Sequence, residues 1–170
     1  MNNLFRNANA IILCGGKSSR IFLPKPFIEI NGRTIIENIV EVLKGLFNKI
    51  IIVTNNIEKY IKLEVELIVK DKIPGKGPLG GIYTGLNYSD TFYNFILACD
   101  MPFIEPGAIS YLFEYVETQY DIIVPEYNGF LEPLFAVYSK RCLKVISENI
   151  RKGDLKVLNS FNRLNVKKVD

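Results

Sequence analysis

The sequence contains no histidine. That absence removes Ser-His-Asp triads, most zinc sites and the commonest general base. Any chemistry must then run on carboxylates, cations, backbone amides or a hard metal ion. Cysteine is scarce: Cys14, Cys99 and Cys142 are an odd number at unrelated spacings. They speak for reduced thiols rather than a disulfide framework. No apolar run approaches the ~18 residues of a membrane span, and the opening MNNLFRNAN has no apolar signal-peptide core. A net charge of +3 is too small for a basic nucleic-acid-binding face. These absences lead us to expect a cytoplasmic protein with neither nucleic acid nor membrane as a partner.

What is present is an ordinary globular composition, 170 residues with 48% hydrophobic and 23% charged. The length argues for one domain, 1–170. Residues 10–13 form an apolar run closed by Gly15-Gly16 and read as a buried strand. Apolar side chains at 36, 39, 40, 43, 46 and 47 make a helical stripe over 35–47. Residues 49–54 and 65–69 read as strands, and the loop DKIPGKGPLGG leads into a helix running through Tyr88. Residues 93–98 form another strand, ending at Cys99-Asp100-Met101-Pro102. Glu105-Pro106 opens a helix, since proline is tolerated at the first helical position; Tyr111, Leu112, Tyr115 and Val116 are its apolar stripe. Strands over 121–124 and 133–138, a mostly helical tail from Lys140 and a short strand near 165–169 complete the chain. Strands alternating with helices, and apolar on both faces, predict an α/β fold of three layers, with a mainly parallel central sheet and helices on both faces. In such sheets ligands bind beyond the carboxyl ends of the strands.

Three loops after strands carry chemistry. In Leu13-Cys14-Gly15-Gly16-Lys17-Ser18-Ser19-Arg20-Ile21-Phe22-Leu23-Pro24-Lys25-Pro26, the glycines let backbone amides approach an anion. Lys17, Arg20 and Lys25 add charge, and Pro24 and Pro26 restrict the backbone around Lys25. The Walker pattern GxxxxGK[ST] is not met. The second loop holds Gly75-Lys76-Gly77-Pro78-Leu79-Gly80, a formal GxGxxG, with Asp100 at the spacing of about 20 residues expected of a Rossmann acid. Asp71-Lys72-Ile73-Pro74 separate it from its strand, so a loop covering a base or sugar, with Asp71 as a polar contact, is the better reading. In the third loop, Asp100 directly follows a strand, where a carboxylate either caps a turn or holds Mg2+ beside phosphate oxygens.

These motifs, with the segment Glu132-Pro133-Leu134-Phe135-Ala136-Val137-Tyr138, resemble the MobA-like nucleotidyltransferases of molybdenum cofactor biosynthesis. The likeness runs from residue 10 to about 165. It implies a Rossmann-like, glycosyltransferase-A-like nucleotidyltransferase fold. It also implies transfer of GMP from GTP to the terminal phosphate of molybdopterin, with release of pyrophosphate. GTP and molybdopterin would be the substrates, Mg2+ the cofactor, and other proteins of that biosynthesis candidate partners. By this resemblance Leu13, Cys14, Gly15 and Gly16 wrap the nucleotide through backbone groups. Arg20 and Lys25 bind the triphosphate. Asn55, Asp71, Gly77, Pro78, Leu79 and Gly80 contact the nucleotide, and Asp100 binds the metal.

The chain departs from the family pattern where Arg20-Ile21-Phe22 and Pro24-Lys25 stand in place of Arg-Met-Gly and Asp-Lys. Cys14 replaces the usual alanine, and the Asn-Thr-Pro-Glu-type ending common in that branch is not found. Pro-Lys is typical of relatives that activate sugar or methylerythritol phosphates. Transfer from CTP, or to a sugar or terpenoid phosphate, is therefore the nearest alternative. A non-catalytic nucleotide-binding regulatory domain and a dinucleotide-dependent oxidoreductase are the others.

Overall fold

The computed structural model describes Phe5, residues 7–15 and residues 24–170. In chain order the elements are β1 (Ala8–Cys14), β2 (Glu29–Ile30), β3 (Arg33–Thr34), α1 (Ile35–Lys44), β4 (Ile50–Thr54), β5 (Leu67–Lys70), α2 (Gly77–Tyr88), β6 (Tyr93–Ala98), α3 (Pro106–Glu114), β7 (Ile122–Tyr127), β8 (Phe130–Leu131), β9 (Phe135–Ser139), α4 (Cys142–Lys152), α5 (Val157–Phe161) and β10 (Val166–Val169). The main sheet has the order β10-β7-β9-β6-β1-β4-β5, with β8 paired to β7. β1 lies parallel to β4 and β6, β4 to β5, and β7 to β10. β9 alone runs against both its neighbours, β6 and β7. The cause is its connection. It follows β7 through a tight hairpin to β8 and a short link, with none of the crossover length that a parallel return needs.

Side chains alternate between two apolar layers, as a strand period of two requires. Ala10, Ile12, Ile52, Phe95 and Leu97 face the layer of α1 and α3. Ile11, Leu13, Ile51, Val53 and Ile96 face the layer of α2 and α4. α1 begins at a capping box: the Glu37 amide donates to Thr34 Oγ1 at 3.3 Å and the Thr34 amide to Glu37 Oε2 at 2.8 Å. Its predicted stripe is buried throughout, although the helix ends at Lys44 and delivers Leu46 and Phe47 from the turn that follows.

α2 lies unusually deep on the sheet. A Cβ at Gly85 would stand 2.4 Å from Ile11 Cγ2, and one at Gly81 would stand 3.2 Å from Leu13 Cδ2. Glycine is what allows this approach, and it brings the start of α2 to the carboxyl ends of β1 and β4. At the opposite edge a polar network closes the sheet, where Asn9 Nδ2 donates to Ser89 Oγ at 2.8 Å and to Asp90 Oδ1 at 2.7 Å. Among the described residues no helix is long and apolar enough to cross a membrane.

Candidate active site

Because β1, β4, β5 and β6 run in one direction, their carboxyl ends share an edge. The register sets Cys14 beside Thr54, Thr54 beside Lys70, and Leu13 beside Ala98. The residues that leave the strands there gather into one pocket. Leu13, Gly15, Asn55, Asp71, Gly77 and Pro78 line it, all of them singled out in the sequence. The first turn of α2 opens onto this pocket. Pro78 has no N–H and the Gly80 amide is bonded to the Lys76 carbonyl at 3.4 Å, so the donors that the helix itself leaves unpaired in this turn are the Gly77 and Leu79 amides, at the positive end of the helix dipole. Gly77, at φ +61°, makes the turn into the helix.

Asp71 is held in place by the helix. Its Oδ1 accepts from Thr84 Oγ1 at 2.8 Å and from the Ile73 amide at 3.0 Å. Thr84 Oγ1 in turn accepts from the Lys72 amide at 3.0 Å. Thr84 is fully buried, so this arrangement fixes one carboxylate oxygen and sets the direction of the other. Thr54 does similar work for the neighbouring turn, its Oγ1 accepting from the Asn56 amide at 3.1 Å.

Lys25 and Asp100, far apart in sequence, meet with Nζ 3.2 Å from Oδ2. Lys25 opens a single 3-10 turn, Lys25–Phe27, in which Pro26 is buried. The Phe27 ring packs 5.1 Å from that of Tyr60. The lysine is thereby presented from an anchored turn. The pair is exposed, 56% for Lys25 and 40% for Asp100. Such pairs contribute about 0–1 kcal/mol, so a polyanion competes for the lysine easily. Among the described residues no three His, Cys, Asp or Glu side chains converge on a metal position. Asp100 offers a single open carboxylate. That suits Mg2+, which takes one or two carboxylates and completes its shell with water and substrate phosphate oxygens.

Other expected contacts are placed differently. Leu79 has no exposed surface and points into the apolar layer under α2. Gly80 is buried where a Cβ would stand 3.1 Å from the Ile73 carbonyl and 3.4 Å from Asp71 Oδ2. The Leu79 side chain and the Cβ position of Gly80 are therefore taken up by packing, and only backbone groups of these two residues are left to meet a nucleotide. The Cys14 side chain turns to the α1 layer, away from the pocket. Burial, with the Cys99 thiol beside it, pushes its pKa well above the ordinary thiol value. This is an inert packing thiol. Gly16 and Arg20 lie outside the described residues. The dinucleotide reading fails on position, because β5 ends at Lys70 and α2 starts only at Gly77. Thr84, Thr54 and the hollow beyond Asp100 escaped the sequence. A threonine inside a glycine-rich helix carries no local signal of what it holds.

A mainly parallel sheet with one reversed strand, and a strand-edge site joining helix amides, a lysine and an aspartate, defines an α/β nucleotidyltransferase. The family model for the MobA-like NTP transferase domain matches residues 10–165, and the chain belongs to that family. It is 34% identical over 163 residues to a probable molybdenum cofactor guanylyltransferase of Clostridium perfringens strain SM101, covering 95% of this chain and 81% of the relative. It is 36% identical over 164 residues to one from Natranaerobius thermophilus, covering 94% and 80%. The crystal structure of molybdopterin-guanine dinucleotide biosynthesis protein A from Archaeoglobus fulgidus superposes with a TM-score of 0.80 at 26% identity, covering 95% of this chain and 82% of that one.

Proposed function

We propose that this chain transfers GMP from GTP to the terminal phosphate of molybdopterin and releases pyrophosphate. The observation that carries the reading is the Lys25–Asp100 pair, 3.2 Å apart on the sheet edge beside the pocket. The nucleoside lies over the small hollow, about 20 Å3, between Leu13, Asn55, Asp71 and Pro78. Guanine presents two adjacent N–H donors to a carboxylate such as Asp71, whereas cytosine presents only its amino group; this favours GTP over CTP. Gly15 and the first turn of α2 face the phosphates with backbone amides. Lys25 leaves Asp100 for the triphosphate and offsets charge on the departing pyrophosphate. The sequence assigns Arg20 to the same triphosphate, for which a guanidinium offers paired donors that an ammonium lacks.

An acceptor phosphate oxygen attacks the α-phosphorus. A new P–O bond forms, and the bond to the β-phosphate's bridging oxygen breaks. The acceptor phosphate has a second pKa of about 6 and is already anionic at neutral pH, so no histidine base is needed. Mg2+ held by Asp100 supplies charge neutralisation at the α-phosphate. Asp100→Ala is expected to lower kcat at least about 100-fold, or roughly 2.7 kcal/mol, with the unliganded Tm preserved. Pyrophosphate release measured with each of four nucleoside triphosphates and Mg2+ tests both parts. Full activity of the variant would remove the metal role, and faster turnover of CTP than of GTP would overturn the guanylyl assignment.

A further inference from the structure

Asp100 stands between two hollows. The nucleotide pocket lies toward β1, β4 and β5. Toward β9 lies a groove of about 400 Å3, lined by Asp100, Phe103, Ile104, Glu105, Ala108 and Phe135 among others. That volume falls in the range of about 300–1,000 Å3 typical of small-molecule sites. Two of its residues have no structural employment. Phe103 leaves 78% of its surface exposed, whereas a phenylalanine used for packing is buried. Glu105 occupies the N-cap position of α3, yet its side chain makes no capping hydrogen bond. Among the described residues its carboxylate forms no ion pair. More aromatic surface stands at the same edge. β6 and β7 both oppose β9, so the β7–β8 hairpin leaves the sheet at the same edge as Asp100, two strands away, carrying Tyr127 and Phe130 at 77% and 80% exposure.

The direction of the reaction selects the groove. Attacking and departing oxygens lie roughly in line through the phosphorus. With nucleoside and triphosphate filling the β1 side of Asp100, the β9 side is left for the acceptor. We propose that this groove holds the acceptor, with Phe103 stacking on its fused pterin ring and Glu105 accepting hydrogen bonds from the ring's 2-amino-4-oxo edge. The assignment rests on the transferase reading above. That edge carries neighbouring N–H donors, and an ionised carboxylate accepts from such donors more strongly than a neutral group does.

The test is steady-state kinetics with molybdopterin varied at saturating GTP, alongside calorimetry of GTP binding. Phe103→Ala and Glu105→Gln are each expected to raise KM for molybdopterin about 10-fold. The Kd for GTP should stay within about twofold, and Phe103→Trp should restore the KM. Both side chains are exposed, so folding is retained, and Tm checks it for each variant. An unchanged KM in both variants, with the unmodified protein active, overturns the groove assignment alone. A parallel loss of GTP affinity overturns it as well, since the residues would then serve the nucleotide. An unmodified protein that turns over no molybdopterin with GTP overturns the transferase reading, and this assignment with it.

Discussion

Gly85→Ala sets two opposed effects against each other. In a helix interior alanine is favoured over glycine by about 0.5–1 kcal/mol. Here the new methyl would stand 2.4 Å from Ile11 Cγ2, 3.1 Å from Ile11 Cδ1 and 3.4 Å from Val53 Cγ2. Carbon atoms attract best at about 3.5–4.0 Å, so the first contact overlaps by about 1 Å. Ile11 cannot easily yield. It is fully buried in β1, between β4 and β6, and its branched Cβ is restricted in rotamer. Overpacking costs about 1–3 kcal/mol; an overlap of about 1 Å against an immobile strand belongs at the upper end, about 2–3 kcal/mol, leaving a net loss of about 1–2 kcal/mol once about 1 kcal/mol of propensity is subtracted. For a chain of this size Tm should fall by about 2–8 °C. Gly107, in the first turn of α3, is the control. Nothing lies within 4 Å of its Cβ position and its φ is not positive, so Gly107→Ala should raise Tm slightly. Thermal scans and urea unfolding of both variants read the result. A Gly85→Ala protein as stable as the parent would refute the close packing of α2 on β1.

Thr84→Val should cost about 1–3 kcal/mol, because Asp71 and the Lys72 amide both lose a buried partner. It should also weaken GTP binding by calorimetry, while Thr84→Ser keeps both properties; unchanged binding would detach Asp71 from the nucleotide. Burial, reinforced by the nearby Asp121 carboxylate, pushes the Cys142 thiol from 9.0 up to about 12. Between those values the folded chain holds a proton that the unfolded chain has lost. The contribution is therefore complete below about pH 9 and is lost as pH rises toward 12. Cys142→Ala should flatten the decline of urea-measured stability between about pH 9 and 11, and an identical slope would show that the thiol is not its source.

The parallel strands were legible because burial on both faces leaves runs such as IIIV at 50–53 and FIL at 95–97. The shortest strands were not, since β2, β3 and β8 have two residues each and no periodicity to read. Their turns were nevertheless written in the chain. Asn31-Gly32 and Asn128-Gly129 both take positive φ, as a two-residue hairpin of this kind demands. The direction of β9 depends on its connection rather than its composition. At the site, Gly15, Asn55 and Asp71 stand out in the sequence because each directly follows a strand, and Asp100 because it lies two residues beyond β6. The packing at Gly80 was not legible, because a glycine that admits a ligand and one that admits a neighbouring backbone look alike in sequence. The groove at Phe103 depends on exposure, which the letters CDMPF do not carry.

The reversal of β9 divides the catalytic edge into halves of different construction. Toward β5 each strand is tied to the next by a long crossover, so a change of length there disturbs packing across a whole layer. Toward β7 the chain turns back through Asn128-Gly129 and the link 132–134, which cross no layer. Lengthening such a turn costs little loop-closure free energy and leaves β1, β4 and β5 where they are. With the acceptor groove assigned as proposed above, the fold can be refitted to a new acceptor on one side of Asp100 while the other side stays unaltered.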